Sequence, residues 1–391
     1  MKPASPSYKT NASPLSPDNP MSLDLSVNYG GLFLHSPIVV GACPMTMDDQ
    51  TRLSLESAGA GAIVLPSIFE EQVSNWIDDE RDDRCFFREQ RRRMFVDSID
   101  AKTYLALVNR SSNQLMIPVI ASINGGASEC CVEYASELQE AGAAGIEINL
   151  QPGHDREFFG SGEIEDSLVE AMEAFSQSIS VPLFVKFDRG GVSLPHLARR
   201  CCSGVSGMVL HGRSPDVDIC LDNLGLCTQW NLSPPQTSNQ LIEPIMRLHL
   251  QCPAMSIAAS GGISTCEGVA KVLLAGADVA MLTSELYRSG PDIVRTMIDG
   301  LIVFLQRHHL ESMQDLQRNR PVMFDDVETR TSYVSALSHK LPANHQGFAN
   351  LETSDRETGY QQCDRWGHLL SESGQTVGQS TQSFESPENL K

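Results

Sequence analysis

No stretch of these 391 residues offers the roughly 18 consecutive apolar side chains that would read as a helix crossing a bilayer. The first 20 residues, rich in Pro, Ser and Asn, hold no apolar core of about 7–15 residues such as a secretory signal needs, and export by that route is not expected. Cys-x-x-Cys pairs are missing too: Cys130–Cys131 and Cys201–Cys202 are adjacent, and the rest of an odd total of 11 cysteines are scattered. That pattern lacks the usual zinc and iron–sulfur spacings, so no metal site is predicted. Scattered thiols without a leader fit a reducing cytoplasm, most of them acting as small buried hydrophobes. Positive charge is in short supply: 29 Lys and Arg against 49 Asp and Glu leave a net charge of −20. Such a balance repels nucleic-acid phosphates and anionic membranes, so the expected partner is a small molecule, with a homodimer left open. A local phosphate pocket remains compatible with it.

What is present points to one folded body. The opening residues and the stretch from about Ala343 to Lys391, rich in Gln, Ser, Glu and Thr, bury too little apolar area to offset their ordering entropy. Disordered tails are therefore expected at 1–21 and 321–391, flanking a body at 22–320. That length is close to one α/β barrel of roughly 250 residues.

Within the body one phrase recurs. Ser57-Ala-Gly-Ala-Gly-Ala-Ile-Val-Leu65, Glu140-Ala-Gly-Ala-Ala-Gly-Ile-Glu-Ile148 and Leu274-Ala-Gly-Ala-Asp-Val-Ala-Met-Leu282 are three copies, and Ser203-Gly-Val-Ser-Gly-Met-Val-Leu210 is a degenerate fourth. Each reads as a helix end, a glycine for a left-handed turn, then a short run apolar on both faces. Runs of that kind are parallel strands covered by helices. Eight are predicted: Pro37–Cys43, Ala62–Ser67, Pro118–Ile123, Gly145–Leu150, Pro182–Phe187, Gly207–His211, Met255–Ser260 and Val279–Thr283. Eight units favour a closed (β/α)8 TIM barrel over an open sheet. Two alternating runs around Gly30-Gly31, between Leu23 and His35, predict a β-hairpin at the barrel floor. The stretch Glu70–Asn113 is too long for one helix, and its charge run at 78–84 is read as a solvated helix face.

In a barrel the active site gathers at the carboxyl ends of the strands. The seventh predicted strand ends in Ser260-Gly261-Gly262 and the eighth in Thr283-Ser284, a candidate phosphate cradle, since bare backbone lets N–H groups approach an anion. The plainer reading of Gly261-Gly262 is a tight turn. Lys186 ends the fifth run inside apolar surroundings, where an ammonium needs an anionic partner or a shifted pKa. Either it pairs with a neighbour such as Glu147, or it serves a reduced flavin or a Schiff base. Asn124 and Asn149, after the third and fourth runs, can donate to and accept from a heterocycle, although each alone is a common capping residue. His154 is the available proton acceptor on the loop after the fourth strand, or else a surface histidine. His211, Gly212 and Arg213 either contact substrate or close the sixth strand.

Taken in order, Pro37-Ile-Val-Val-Gly-Ala-Cys-Pro44, Val64-Leu-Pro-Ser-Ile-Phe-Glu-Glu71, Ile120-Ala-Ser-Ile-Asn-Gly125, Ile146-Glu-Ile-Asn-Leu150, Val185-Lys186, Ser260-Gly-Gly-Ile263 and Ala275-Gly-Ala-Asp278 resemble the dihydroorotate dehydrogenases, especially the soluble class. The resemblance implies a barrel holding FMN across its mouth, hydride transfer from dihydroorotate to the flavin, and a place in pyrimidine biosynthesis. It also implies that Ala42 and Cys43 touch the ring, Lys186 and Asn149 bind its polar edge, and Gly261, Gly262, Thr283 and Ser284 hold its phosphate. Departures fall on the substrate side. The family's cysteine base after the fourth strand is absent from Asn149-Leu-Gln-Pro-Gly-His154, and Pro66 replaces a lysine expected after the second strand. Flavin binding is thus expected to outlast dihydroorotate turnover. Two other readings are a Schiff-base aldolase acting on a phosphorylated substrate and a non-catalytic flavin binder.

Overall fold

The structure, a computed structural model, describes residues 23–77, 99–150, 159–187, 193–212, 216–321 and 326–337. The tails expected to be disordered lie outside these residues, apart from 321 and 326–337, and so does the charge run at 78–84.

The first strands, β1 (Val27–Tyr29) and β2 (Leu32–Leu34), pair antiparallel across Gly30-Gly31. Tyr29 is fully buried and stacks on Phe184 with ring centroids 4.2 Å apart, while the Gly30 N–H donates to Ser256 Oγ at 2.9 Å. Both contacts fall at the amino ends of barrel strands, so the hairpin closes the floor as the sequence predicts. Six parallel strands follow: β3 (Ile38–Val40), β4 (Ala62–Phe69), β5 (Val119–Asn124), β6 (Gly145–Asn149), β7 (Leu183–Phe187) and β8 (Gly207–Leu210). An antiparallel hairpin, β9 (Asp216–Cys220) with β10 (Gly225–Gln229), intervenes before β11 (Ser256–Ser260) and β12 (Val279–Leu282). β12 pairs back onto β3 and closes an eight-stranded barrel. All eight predicted strands are present.

The repeated glycine phrases work as read. Gly59, Gly142 and Gly276 take φ of 102°, 105° and 129° just after helices Asp49–Ser57, Glu129–Glu140 and Cys266–Ala275. Side-chain caps start the first of these helices and the helix at Ala101–Gln114: Asp48 accepts from Thr51 N at 2.7 Å and Asp100 from Thr103 N at 2.7 Å. Pro66 lies within β4, and the β4–β5 register shifts between Val64 and Ser67. Proline has no N–H for the ladder, so a bulge accommodates it.

The Glu70–Asn113 stretch resolves into helices Glu70–Ile77 and Ala101–Gln114 on either side of residues outside the described set. The β9–β10 hairpin was not foreseen; it occupies the connection after the carboxyl end of β8. At the floor, Arg320 donates to Leu273 O at 3.0 Å and Ala277 O at 2.5 Å, and pairs with Asp278 at 3.4 Å. Residues 1–324 form one compact unit and 325–391 a second. The second contributes the helix Asp326–Leu337, on which Arg330 lies 5.3 Å from the Tyr333 ring centre. Among the described residues no helix is long and apolar enough to cross a membrane.

Candidate active site

The carboxyl ends of the barrel strands converge on one mouth. Asn124, Asn149 and Lys186 are successive ladder partners on β5, β6 and β7, so they stand side by side. The end of β8 lies against two of them: a Cβ at Gly212 would be 3.5 Å from Asn149 Oδ1 and 3.6 Å from Lys186 Cγ. The Gly212 N–H donates to Phe187 O at 2.6 Å and the His211 N–H to Ser260 O at 3.0 Å, tying β8 to both neighbours.

Lys186 is 12% exposed and its Nζ lies 3.1 Å from Glu147 Oε1. The Glu147 side chain is 1% exposed, and among the described residues its second carboxylate oxygen has no hydrogen-bond partner. The ion pair weighed as the plain alternative for Lys186 therefore forms. It leaves a ligand role intact, because an ammonium has three donors and Glu147 engages one.

Ala42 and Cys43 follow β3, and Cys43 is buried. Burial pushes its thiol up, against hydrogen bonds from the Met45 and Thr46 backbone and the nearby charge of Lys186; Tyr287 hydrogen-bonds it as well. At neutral pH it is a thiol packed at the mouth rather than a base.

The glycine cradle divides in two. Gly261, at φ 119°, has no atom within 4 Å of where a Cβ would point, so its backbone faces open space. Gly262, at φ 66°, is filled from behind: a Cβ there would fall 1.8 Å from Thr237 Oγ1. Thr283 Oγ1 lies against Gly41, where a Cβ would be 2.5 Å away. Ser284 Oγ accepts from Ser233 N at 3.0 Å, which leaves its hydroxyl hydrogen to donate elsewhere. Arg288, unremarked in the sequence, fixes this covering segment by donating to Ser233 O at 2.6 Å while pairing with Glu285 at 3.2 Å.

His154 and Arg213 lie outside the described residues. Two further groups were passed over. Glu70 Oε2 accepts from Gly126 N at 2.7 Å and shapes the loop after β5. Cys130, in the first turn of the helix on that loop, has its pKa lowered to about 6, chiefly by a hydrogen bond with Cys131, with Ser128 Oγ 3.2 Å away. The only sequence signal for either is its place just after a barrel strand.

No family model matches the chain. It is 23% identical over 299 residues to the catalytic subunit of dihydroorotate dehydrogenase B (NAD(+)) from Thermoplasma acidophilum, covering 75% of this chain and 97% of that one. It is 25% identical over 218 residues to a putative dihydroorotate dehydrogenase A (fumarate) from Aeropyrum pernix, covering 54% and 70%. Against the PreA subunit of the NAD-dependent dihydropyrimidine dehydrogenase of Escherichia coli the identity is 23% over 330 residues, with 79% and 80% covered. The fold matches a crystal structure of a dihydroorotate dehydrogenase from Eimeria tenella in complex with ferulenol, with a TM-score of 0.55 at 16% identity over 79% of this chain and 91% of that one. Sequence and closed barrel together make this chain a divergent relative of the dihydroorotate dehydrogenases.

Proposed function

We propose that the chain is an FMN-dependent oxidoreductase acting on a CH–CH bond of a small cyclic substrate. The observation that carries this is the largely buried Lys186, held by Glu147 and flanked by Asn124, Asn149 and Gly212 at a barrel mouth. The residues present fit the group. Gly261 offers a surface with room for phosphate that a side chain would fill, and the mouth offers amide and ammonium donors to a polar ring edge. Ser260, Gly261, Thr283 and Ser284 would hold the phosphate end; Gly262 would support the turn from behind. Lys186, Asn149 and Asn124 would bind the polar edge, with Ala42 and Cys43 against the ring. When bound, such a flavin supplies hydride acceptance.

The remaining task for the protein is a proton. His154 is proposed as the acceptor, since it follows the position where the resembling enzymes carry cysteine, and an imidazole suits proton removal near neutral pH. The relatives are named for dihydroorotate and for dihydropyrimidines. The departures at Pro66 and Pro152 make dihydroorotate itself a poor substrate here, so a related ring is favoured. A role in pyrimidine metabolism and a cytoplasmic location belong to the same proposal. The Schiff-base reading is disfavoured, because Lys186 would have to leave Glu147 to reach a carbonyl.

The test is the absorbance of the purified protein before and after adding FMN. About one flavin per chain is expected. A colourless protein that takes up none overturns the proposal, and trapping of a carbonyl substrate by borohydride would point to the lyase instead.

A further inference from the structure

The adjacent cysteines Cys201 and Cys202 take no part in the mouth; they belong to the floor. Cys202 ends the helix Leu194–Cys201, which leads into β8, and Cys252 ends the helix Asn239–Gln251, which leads into β11. β8 and β11 are ladder neighbours that begin level, Gly207 opposite Ser256, so the two helix ends arrive side by side. Arg199 Nη1 donates to Gln251 Oε1 at 3.1 Å across this seam. The Cys252 thiol is hydrogen-bonded to Cys202. Cys202 is exposed, whereas Cys201 and Cys252 are buried.

We propose that Cys202 and Cys252 form a redox modification site, which a low-molecular-weight disulfide of the oxidised glutathione type closes to a protein disulfide. Two other uses of these thiols fail. Among the described residues no group of three or more His, Cys, Asp or Glu side chains could hold a metal ion, so the thiols are not a soft-metal site. A bond between Cys201 and Cys202 fails on direction: Cys201 closes its helix, Cys202 follows at φ −62° and ψ −12°, and successive helical side chains do not face each other. Cys201 Sγ donates instead to Ala198 O at 3.7 Å.

The surroundings also give the order of events. Burial raises the Cys252 pKa and Cys202 adds to the rise, against the Met255 N–H and the charge of Arg199. Exposed Cys202 is therefore the sulfur that the oxidant meets first. Its thiolate attacks the small disulfide and expels one small thiolate, which takes up a proton. The Cys252 thiol then loses its proton and attacks the Cys202 sulfur, expelling the second small thiol. Two protein thiols become one disulfide while one small disulfide becomes two small thiols. Cys252 lies 50 residues after Cys202, so the bond closes a loop that carries β8, the β9–β10 hairpin and the segment from Ser233 to Thr237 beside the cradle. Closing a long loop restrains the unfolded chain, so oxidation staples this quarter of the barrel. Under reducing conditions the staple opens again, as a redox-responsive bond does.

The experiment incubates the full chain with oxidised glutathione or with dithiothreitol, then maps peptides without reduction and measures the melting temperature. A linked pair of peptides holding Cys202 and Cys252, lighter by two hydrogens than their sum, is expected only after oxidation. Cys202→Ser and Cys252→Ser should each abolish it. Oxidised wild type should melt at least about 4 °C above the reduced form, a difference that neither variant shows. Cys202 is exposed, so Cys202→Ser keeps the test open even if the change at buried Cys252 weakens folding. A stable glutathione adduct on Cys202 with no link to Cys252 overturns the proposal. So does a link that survives in Cys202→Ser, or one that leaves the melting temperature unchanged. No flavin enters these readouts, so their failure is separate from failure of the proposed function.

Discussion

Lys186 and Glu147 set a limit on what the mouth can tolerate. Each is a charge in an apolar run, and each is acceptable there because the other lies 3.1 Å away. Removing one partner of a buried pair costs about 3–5 kcal/mol, whereas replacing both by apolar residues is often neutral. Lys186→Met should therefore destabilise strongly, since it strands a carboxylate that is 1% exposed. Glu147→Leu should cost less, because Lys186 at 12% exposure still reaches water. The double variant should recover much of the loss, with a coupling of about 1–3 kcal/mol. Urea denaturation of the four proteins measures it, and additivity within about 0.5 kcal/mol would show the pair to be incidental. If Lys186 also holds the flavin edge, the double variant regains stability yet still fails to bind FMN.

At the level of elements, the turn after β11 separates packing from binding. Gly262→Ala would force a Cβ to 1.8 Å from Thr237 Oγ1 at a φ of 66°, so overpacking and strain should destabilise the fold by about 1–3 kcal/mol and lower the melting temperature accordingly. Gly261→Ala, at a φ of 119°, costs backbone strain but meets no atom within 4 Å; because its methyl fills the open cradle, FMN affinity should fall by more than that loss of stability accounts for. Equal FMN affinity in Gly261→Ala and wild type would move the phosphate elsewhere. The same elements show what was legible in the sequence. The strands were, because parallel barrel strands are continuous apolar runs, and the helix ends were, because glycine at Gly59, Gly142 and Gly276 takes positive φ. Lys186 stood out as a charge in such a run. The bulge at Pro66 and the contact of Glu70 with Gly126, 56 residues apart, were not legible, since each depends on a neighbour supplied only by the closed barrel. The β9–β10 hairpin escaped for a related reason: its alternation is short, and it has no buried face to announce it.

For the whole molecule, the decisive seam is at the floor, where the two ends of the barrel body meet. The Asp24 N–H donates to Glu311 O at 3.2 Å and the Met313 N–H to Asp24 O at 2.8 Å. Arg320, 10% exposed, then caps two carbonyls and pairs with Asp278. A piece spanning residues 22–320 should accordingly melt close to the full chain, while Arg320→Ala in the full chain should lose about 3 kcal/mol, the low end for breaking a largely buried pair. The loss should depend on pH in a definite direction. Burial already holds Asp278 above the usual carboxylate value, and Arg320 is the largest influence opposing that rise. Without Arg320 the Asp278 pKa climbs further, so the folded state binds a proton more readily than the unfolded chain, and stability falls as pH rises through that folded value. The deficit of Arg320→Ala is then fullest at neutral pH and shrinks in mild acid. Denaturation of variant and wild type at about pH 7 and about pH 5 measures the difference between the two deficits. A deficit unchanged between them would assign the seam to the carbonyl contacts with Leu273 and Ala277 rather than to the ion pair.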